Sequence, residues 1–288
     1  MMRSAVKCAA SVRLPALSVK SQPQVRLTAC RQQLRPSRAA FSVKAVAATA
    51  QSYGKTEKGE PNSFDFRIFI QEKGQDISTW HDIPLYLENG LLSFICEIPK
   101  ETSAKMEVAT DEEGTPIKQD TKKGKLRFYP YNINVNYGLL PQTWEDPAHK
   151  AEELDGVAGD NDPVDVVEIG SETLAMGGVY PVKPLAVLAM IDDGELDWKV
   201  ACIKADDPKA ASVNDVEDVE REFPGLLDDI RVWFRDYKKP DGKPENKFGF
   251  DDQWQNKEYT LKVISETHGF YNSLKSGKRE NTEELSLV

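Results

Sequence analysis

Seven short segments between residues 67 and 205 have the composition of β-strands, and they limit the possible folds more than any other feature of the sequence. Each is rich in β-branched and aromatic residues, and turn-forming stretches such as NG, KKG, GG and DDG separate them. The segments are RIFIQE, SFICEIP, AKMEVAT, KLRFYPY, PVDVVEIG, VYPVKPLAVLAMI and WKVACIKA. Strands of this kind predict a small closed β-barrel.

The pattern changes to a helical one after residue 212. NDVEDVEREF and PGLLDDIRVWFRDYKK predict two helices, the second with Pro224 in its first turn, and a last amphipathic helix is predicted for residues 255–275. No internal repeat or linker divides this part of the chain. We therefore predict a single domain over residues 51–288, mainly β with α, in which helices pack outside the barrel.

The first fifty residues have the composition of a targeting segment. They contain nine Lys and Arg but no Asp or Glu, and they are rich in Ser and Ala. This predicts an organelle transit peptide over residues 1–50, disordered or removed, with a disordered basic arm as the alternative. The Ser, Ala and Val content favours the chloroplast stroma over the mitochondrial matrix.

The remainder of the chain is strongly acidic. The net charge of the whole chain is -10, and without the nine positive charges of residues 1–50 it becomes -19. Such a charge argues against binding to nucleic acid or to an anionic membrane surface. No run of 18 apolar residues is present to span a membrane, and the three histidines lie too far apart in sequence for a zinc site.

The acidic stretch GDNDPVDV places Asp160, Asp162 and Asp165 within six positions, just before an apolar run. Carboxylates this close repel one another, so a cation is expected among them. Other charged residues recur at strand ends or two apart on one strand face: Lys105 with Glu107, Asp197 with Lys199, Asp192 and Glu195. Together they predict one polar cavity at a barrel mouth. Oxygen ligands without His or Cys select Mg²⁺, Mn²⁺ or Ca²⁺.

Several known motifs do not explain this cluster. Counting from Asp160, an EF-hand would need Gly at position six and Glu at position twelve, where Asp165 and Ser171 stand. The only GK[ST] lacks the first P-loop glycine, and no G-x-S-x-G is present. The D-x-D-x-[TV] motif of haloacid-dehalogenase-type phosphohydrolases matches residues 160–164. Its upstream segment, AEELDGVAG, is acidic rather than a buried strand, so that family is kept only as an alternative.

Six motif blocks in this order carry a resemblance to a known family. They are EIPKETSAKMEV, DTKKGKLRF, NYGLLPQTWEDP, GDNDPVDV, DDGELDWKV and WFRDYKKPDGKPENKF, together with the order of barrel before helices. Over residues 63–275 the chain resembles family I soluble inorganic pyrophosphatases, and its basic leader is similar to that of organellar members from algae and plants.

The resemblance implies an OB-like barrel that hydrolyses pyrophosphate to two phosphates with three or four Mg²⁺ ions, for which Mn²⁺ is a possible substitute. It implies metal ligands at Asp160, Asp165, Asp197, Asp192 and Glu107. Asp162 would deprotonate the attacking water. Groups that grip the two phosphates would be Lys105, Arg127, Lys199, Tyr137, Tyr237 and Lys238, and supporting acids would be Glu97, Asp120 and Glu195. A tyrosine that the family often has four residues before the NYG tyrosine is Ile133 here, so that contact is not predicted.

The charge of the chain fits this chemistry. Pyrophosphate is a dense anion, and metal ions would bridge it to the carboxylates and lower the pKa of a bound water. We therefore predict direct in-line attack by a metal-bound hydroxide, with a non-catalytic metal-binding barrel as the remaining alternative. At the position where fungal and animal relatives carry a basic and an aromatic residue in their subunit contact, this chain has Lys100 and Glu101. This predicts a monomer or a weak homodimer.

Overall fold

The longest strand of the protein holds its central sheet together, because it pairs with three different strands along its length. The computed structural model describes residues 52–288. Its strands are β1 Tyr53–Lys58, β2 Arg67–Glu72, β3 Gln75–Ile77, β4 Leu92–Ile98, β5 Met106–Val108, β6 Ile117–Gln119, β7 Thr121–Lys122, β8 Lys125–Leu126, β9 Asn136–Leu139, β10 Lys150–Ala151, β11 Val157–Ala158, β12 Asp165–Glu168, β13 Val179–Asp192, β14 Glu195–Lys204 and β15 Lys247–Phe248. Its helices are α1 Val216–Glu222, α2 Leu226–Asp236 and α3 Lys257–Lys275.

Five of these strands close into a ring. The first four residues of β13 pair with β4, and the rest of β13 pairs with β14. From there β14 pairs with β12, β12 with β9, and β9 with β4. A register shift between Pro184 and Ala186 lies within the part of β13 that pairs with β14, where a proline that cannot donate a ladder hydrogen bond is tolerated. The predicted closed OB-like barrel is confirmed.

A second sheet packs beside the barrel and carries one wall of the site. Its strand order is β1-β2-β6-β5, and β3 pairs with Ile70–Glu72 of β2, beyond the two residues of β2 that pair with β6. In β5, Met106 and Val108 are buried whereas Glu107 is only half-buried, as alternation along a strand requires.

The predicted strands differ in how much of their length is regular. RIFIQE is the whole of β2, whereas KLRFYPY contributes only the two residues of β8. Beyond β8 this segment keeps single backbone contacts, including the hydrogen bond from Tyr129 N to Ser103 O (2.7 Å). The next residue, Pro130, has no backbone N–H to donate. The prediction of a full strand was therefore wrong for its second half.

One barrel strand was not predicted. All four residues of β9 are buried, so the strand shows no alternation of polar and apolar residues. Gly138 faces Cys96 of β4, and a Cβ there would lie 1.9 Å from the carbonyl oxygen of Ile95. The close approach of the two backbones explains why a glycine occupies this position.

The three predicted helices are present, with small differences at their ends. Pro224 lies before the N-cap residue Gly225 of α2 and not in the first turn. The last helix begins at Lys257, and the side chain of its N-cap Asn256 accepts a hydrogen bond from Tyr259 N (3.0 Å). Leu227, Ile230 and Phe234 of α2 belong to the same buried cluster as the barrel interior.

The C-terminal residues pack on a third cluster, separate from the barrel interior. Leu285 is buried with Trp80, Trp144, Tyr271 and Leu274.

No helix within residues 52–288 is both long enough and apolar enough to cross a membrane. The transit peptide predicted for residues 1–50 lies outside the described residues, and the domain boundary at residue 50 stays a prediction.

Candidate active site

The loop before β12 brings two of the three clustered aspartates into a fixed arrangement. Asp160 Oδ1 accepts a hydrogen bond from the backbone N–H of Asp162 (3.0 Å), across Asn161, which adopts a left-handed conformation (φ 76°). The backbone of Glu145 pairs with this loop: its N–H donates to Asp162 O (2.9 Å), and its carbonyl accepts from Asn161 N (3.0 Å). Asp165 follows as the first residue of β12.

These carboxyl groups are crowded by protein atoms and by one another, although Asp160 is half-buried and the side chain of Asp162 keeps access to solvent, whereas Asp197 is buried. Burial, followed by the charge of Asp197, raises the pKa of Asp160 well above its ordinary value. Burial and Glu107 raise the pKa of Asp162 to about 7, and burial raises that of Asp197 to about 7 although Lys199 opposes the shift. The cluster is therefore short of positive charge, as the sequence predicts.

A single buried lysine lies between two of the acids. Lys199 is 1% exposed, and its Nζ is 2.5 Å from Asp165 Oδ2 and also contacts Asp197. Tyr137 donates its hydroxyl hydrogen to Asp165 and accepts from Lys199 Nζ (3.2 Å). The parallel register of β12 and β14 places Asp165 beside Lys199, which explains why residues 34 positions apart meet here.

A second charged group lies on β5 and the segment after β6. Lys105 Nζ is 2.6 Å from Glu107 Oε2 and 3.1 Å from Asp120 Oδ2, and Arg127 Nη1 is 2.7 Å from the same Asp120 oxygen. Glu97 is buried nearby and accepts from Val108 N (2.6 Å); burial, with Asp165 as the next cause, raises its pKa well above the ordinary value. Asp120 thus holds two cations together.

The third group forms where the end of β13 meets the end of α2. The Tyr237 hydroxyl donates to Asp192 Oδ2 (3.0 Å), and Lys238 pairs with Asp192 and, at 3.1 Å, with Asp193. Glu195, at the start of β14, is exposed and faces Asp192 across the hairpin. Its predicted supporting role remains a prediction.

The first two groups line a common cavity. Its walls include Glu97, Lys105, Glu107, Tyr137, Asp162 and Asp165. The third group lies close enough to the first that the charge of Asp192 raises the pKa of Asp197. The structure therefore places part of the predicted set in one cavity and the other groups next to it, with Glu195 exposed, and the individual roles stay predictions.

One acid was not assigned a role from the sequence. Glu145 is 3% exposed and accepts from Trp198 N at 3.1 and 3.2 Å. Burial, followed by the charge of Asp160, raises its pKa well above the ordinary value. Glu145 lies in the motif NYGLLPQTWEDP, but the short run WEDP does not by itself indicate that the side chain of its glutamate is buried.

The oxygen-rich donor set fits a hard divalent cation. Within residues 52–288 no three His, Cys, Asp or Glu side chains stand in ligating geometry around one point, and Lys199 lies between Asp165 and Asp197. Even so, Asp160, Asp162 and Glu145 have raised pKa values and no lysine or arginine pairs with them within that range. Carboxylates with raised pKa values and no ion-pair partner, in a site with only oxygen donors, match the ligand preference of Mg²⁺.

The structure does not favour the haloacid-dehalogenase alternative. That motif needs a buried strand directly before its first aspartate. Here the preceding element is the two-residue strand β11, which pairs antiparallel with β10 and is only half-buried.

Comparisons with known proteins agree with the geometry. The family model of inorganic pyrophosphatases matches residues 94–272. A chloroplastic soluble inorganic pyrophosphatase 1 of Chlamydomonas reinhardtii is 64% identical over 253 residues, which cover 88% of this chain and 90% of the relative. A chloroplastic soluble inorganic pyrophosphatase 6 of Arabidopsis thaliana is 64% identical over 213 residues, 74% of this chain and 71% of the relative. A truncated vacuolar soluble pyrophosphatase of Trypanosoma cruzi, solved in complex with PPi, is 40% identical with a TM-score of 0.75 and covers 86% of this chain and 100% of its own.

Proposed function

Because this chain belongs to the inorganic pyrophosphatase family, we propose that it hydrolyses inorganic pyrophosphate to two phosphates. The observation that carries this proposal is the pairing of two kinds of groups in one place. Carboxylates with raised pKa values lie beside Lys105, Arg127, Lys199 and Lys238. The first set suits divalent cations, and the second suits the phosphate oxygens of a small, highly charged anion.

We propose that Mg²⁺ is the metal, that three or four ions bind, and that Mn²⁺ can replace them. Asp160, Asp165 and Asp197 would hold one ion, Asp165 would also reach a second, and Asp192 and Glu107 would serve ions that enter with substrate. When bound, these ions would lower the pKa of the attacking water and offset phosphate charge. Because Lys199 now contacts two of these ligands, its ammonium group would turn toward the substrate when they bind metal.

Asp162 is the group best suited to accept the proton of the attacking water. It lines the cavity, and no lysine or arginine within residues 52–288 forms an ion pair with it. Lys105, Arg127, Tyr137, Lys199, Tyr237 and Lys238 would orient the two phosphates and balance the charge that develops on the leaving one. No phosphorylated enzyme group is needed, so attack on phosphorus is direct and in line.

The chloroplastic relatives support a chloroplast location for this chain. The basic, acid-free residues 1–50 would direct it there, and we propose the stroma as its compartment, with the mitochondrial matrix as the alternative. Import of a fluorescent fusion of residues 1–60 into isolated chloroplasts and mitochondria distinguishes the two. Pyrophosphate is the proposed small-molecule partner, and the acidic body argues against nucleic acid and anionic membrane surfaces.

The test is phosphate release from Mg-pyrophosphate by purified residues 51–288. Two phosphates per pyrophosphate are expected with Mg²⁺, and none after chelation. Ca²⁺ should bind but inhibit, since it is larger and prefers looser coordination. Lys105→Gln should lower the rate, whereas Lys58→Gln, at an exposed pair with Asp76, should not. A folded, Mg²⁺-binding protein that releases no phosphate would instead be the non-catalytic metal-binding barrel.

A further inference from the structure

Tyr129 lies on the same inner face as two proposed phosphate-binding residues. The backbone of its segment pairs with the segment before β5: Lys105 N donates to Arg127 O (3.1 Å), and Tyr129 N donates to Ser103 O (2.7 Å). Alternation therefore puts Arg127 and Tyr129 on one face and Phe128 on the other. Their exposure agrees, because Tyr129 is 5% exposed and Phe128 is 50% exposed.

Aromatic neighbours hold the Tyr129 ring in place. Its edge-on contacts have centroid distances of 4.9 Å to Trp233 and 5.6 Å to Tyr237. Trp233 and Tyr237 stack on each other at 5.3 Å with an interplanar angle of 5°. A ring packed between the Lys105–Arg127 group and the Tyr237 group has little freedom to turn, so its hydroxyl position is set before any ligand binds.

The hydroxyl of Tyr129 differs from those of the other two site tyrosines. Tyr137 donates to Asp165, and Tyr237 donates to Asp192. Among residues 52–288 the Tyr129 hydroxyl has no hydrogen-bond partner. Burial raises its pKa to about 12 although Lys105 and Lys199 oppose the shift, so it remains a protonated donor at neutral pH. The Tyr129 hydroxyl is thus, within residues 52–288, an unpaired donor close to two lysine side chains, and this environment favours an anionic acceptor.

We propose that the Tyr129 hydroxyl donates a hydrogen bond to a phosphate oxygen of the substrate, beside Lys105 and Arg127. The inference rests on the proposed pyrophosphatase function. It assigns to Tyr129 a direct substrate contact. The family often has a tyrosine four residues before Tyr137, but this chain has the buried Ile133 there, which has no hydroxyl. A hydrogen bond to an ionised acceptor is stronger than one between neutral groups.

The test compares Tyr129→Phe with Tyr131→Phe in the full chain. The first removes the hydroxyl of a buried tyrosine and keeps the ring, and the second removes the hydroxyl of an exposed tyrosine two residues away. For Y129F we expect the Kd for imidodiphosphate, a non-hydrolysable analogue, to rise by about 10-fold or more in calorimetry with Mg²⁺. KM should rise similarly while kcat changes less, because the contact forms already in the bound ground state. Y131F should match the wild type.

The outcomes separate this inference from the proposed function. A folded Y129F protein whose Kd and KM stay within about twofold of wild type overturns the substrate contact. A Y129F protein that fails to fold, judged by circular dichroism, also overturns it, because the hydroxyl would then serve the protein itself. If the wild type neither binds imidodiphosphate nor hydrolyses pyrophosphate, the proposed function is what fails.

Discussion

Asp160, Asp162 and Asp165 lie within six positions, yet each has different partners in the folded chain. Asp165 contacts Lys199 and Tyr137, and Asp160 accepts the backbone N–H of Asp162. Asp162 lines the cavity, and its pKa is raised to about 7 by burial and then by Glu107. A carboxylate that keeps a proton more readily than usual is suited to accept one during catalysis, whereas a carboxylate held among donors is suited to be a ligand.

Asp162→Asn and Asp165→Asn should therefore fail in different ways. Asp162→Asn should lower the rate at saturating Mg²⁺ by about 10²–10⁴-fold, the usual loss of a general base. Part of that rate should return at high pH, where hydroxide needs no base. Asp165→Asn should chiefly raise the Mg²⁺ requirement, because a charge between two cations is lost. The measurement is kcat against pH and against Mg²⁺ for both variants; the reverse pattern would show that the two roles are exchanged.

At the scale of elements, the barrel depends on the close approach of β4 and β9. Gly138 has no room for a side chain, since the carbonyl of Ile95 and the N–H of Glu97 would lie 1.9 and 2.9 Å from a Cβ. Because β4 also carries Glu97 and β9 carries Tyr137, a shift between these strands would move two walls of the cavity.

Gly138→Ala should destabilise the fold by about 3 kcal/mol or more, because backbone atoms of a closed barrel cannot move aside. Gly269→Ala is the matched control: it lies within α3 with nothing inside 4 Å of the added Cβ, and should stabilise by about 0.5–1 kcal/mol. Urea unfolding measures both. Equal unfolding midpoints for G138A and wild type would contradict this account of the strand contact.

Contacts between His81 and the C-terminal segment make the stability of the fold depend on pH. His81 Nδ1 is 2.9 Å from the Tyr271 hydroxyl, and Nε2 is 2.9 Å from Ser286 O. Burial lowers the pKa of His81 below its ordinary value of 6.5, Lys275 lowers it further, and Ser286 O and Asp82 oppose the shift. The unfolded chain therefore takes up this proton at higher pH than the folded chain, and the His81 contribution to stability falls as pH drops below 6.5.

His81→Gln should flatten the fall in the free energy of unfolding below pH 6.5, where the folded protein resists protonation of His81. His149→Gln serves as the control, since His149 is a partly exposed residue 3.9 Å from Glu266. Urea titrations from pH 5 to 8 provide the comparison. A wild-type curve that is flat over this range, or an unchanged slope in H81Q, would rule out the linkage.

At the scale of the whole molecule, the acidic charge and the surface after β4 favour a chain that acts alone. Lys100 Nζ donates to the carbonyls of Gly170 (3.2 Å) and Ser171 (2.6 Å) of its own chain. Glu101, in a left-handed conformation (φ 65°), is exposed beside it. Interface cores are depleted in Lys and Glu, so this surface lacks an anchor for a second copy.

Residues 51–288 should consequently behave as a monomer or a weak homodimer. Light scattering across a dilution series at micromolar concentration measures this, and a monomer mass should dominate at the lowest concentrations. Glu101→Trp tests the reason, because an aromatic anchor at this position should shift the equilibrium toward dimer. A dimer mass that persists on dilution would show that the subunit contact lies elsewhere.

Local patterns in the sequence determined much of this molecule. β-branched and aromatic composition between turn signals marked β2, β4, β12, β13 and β14, and a helical pattern marked all three helices. The residue types of the site could also be predicted from the sequence. A dense group of acidic residues predicts a bound metal ion, and basic residues among them predict an anionic ligand.

Long-range packing decided the rest. The position of Lys199 between Asp165 and Asp197 depends on strand register, and the meeting of Asp192 with Lys238 joins residues 46 positions apart. β9 is buried on both faces and shows no alternation, and the inward turn of Glu145 and Tyr129 follows from neighbours distant in sequence. Periodicity reports which face of an element is buried, but only the closed barrel determines which residues it is buried against.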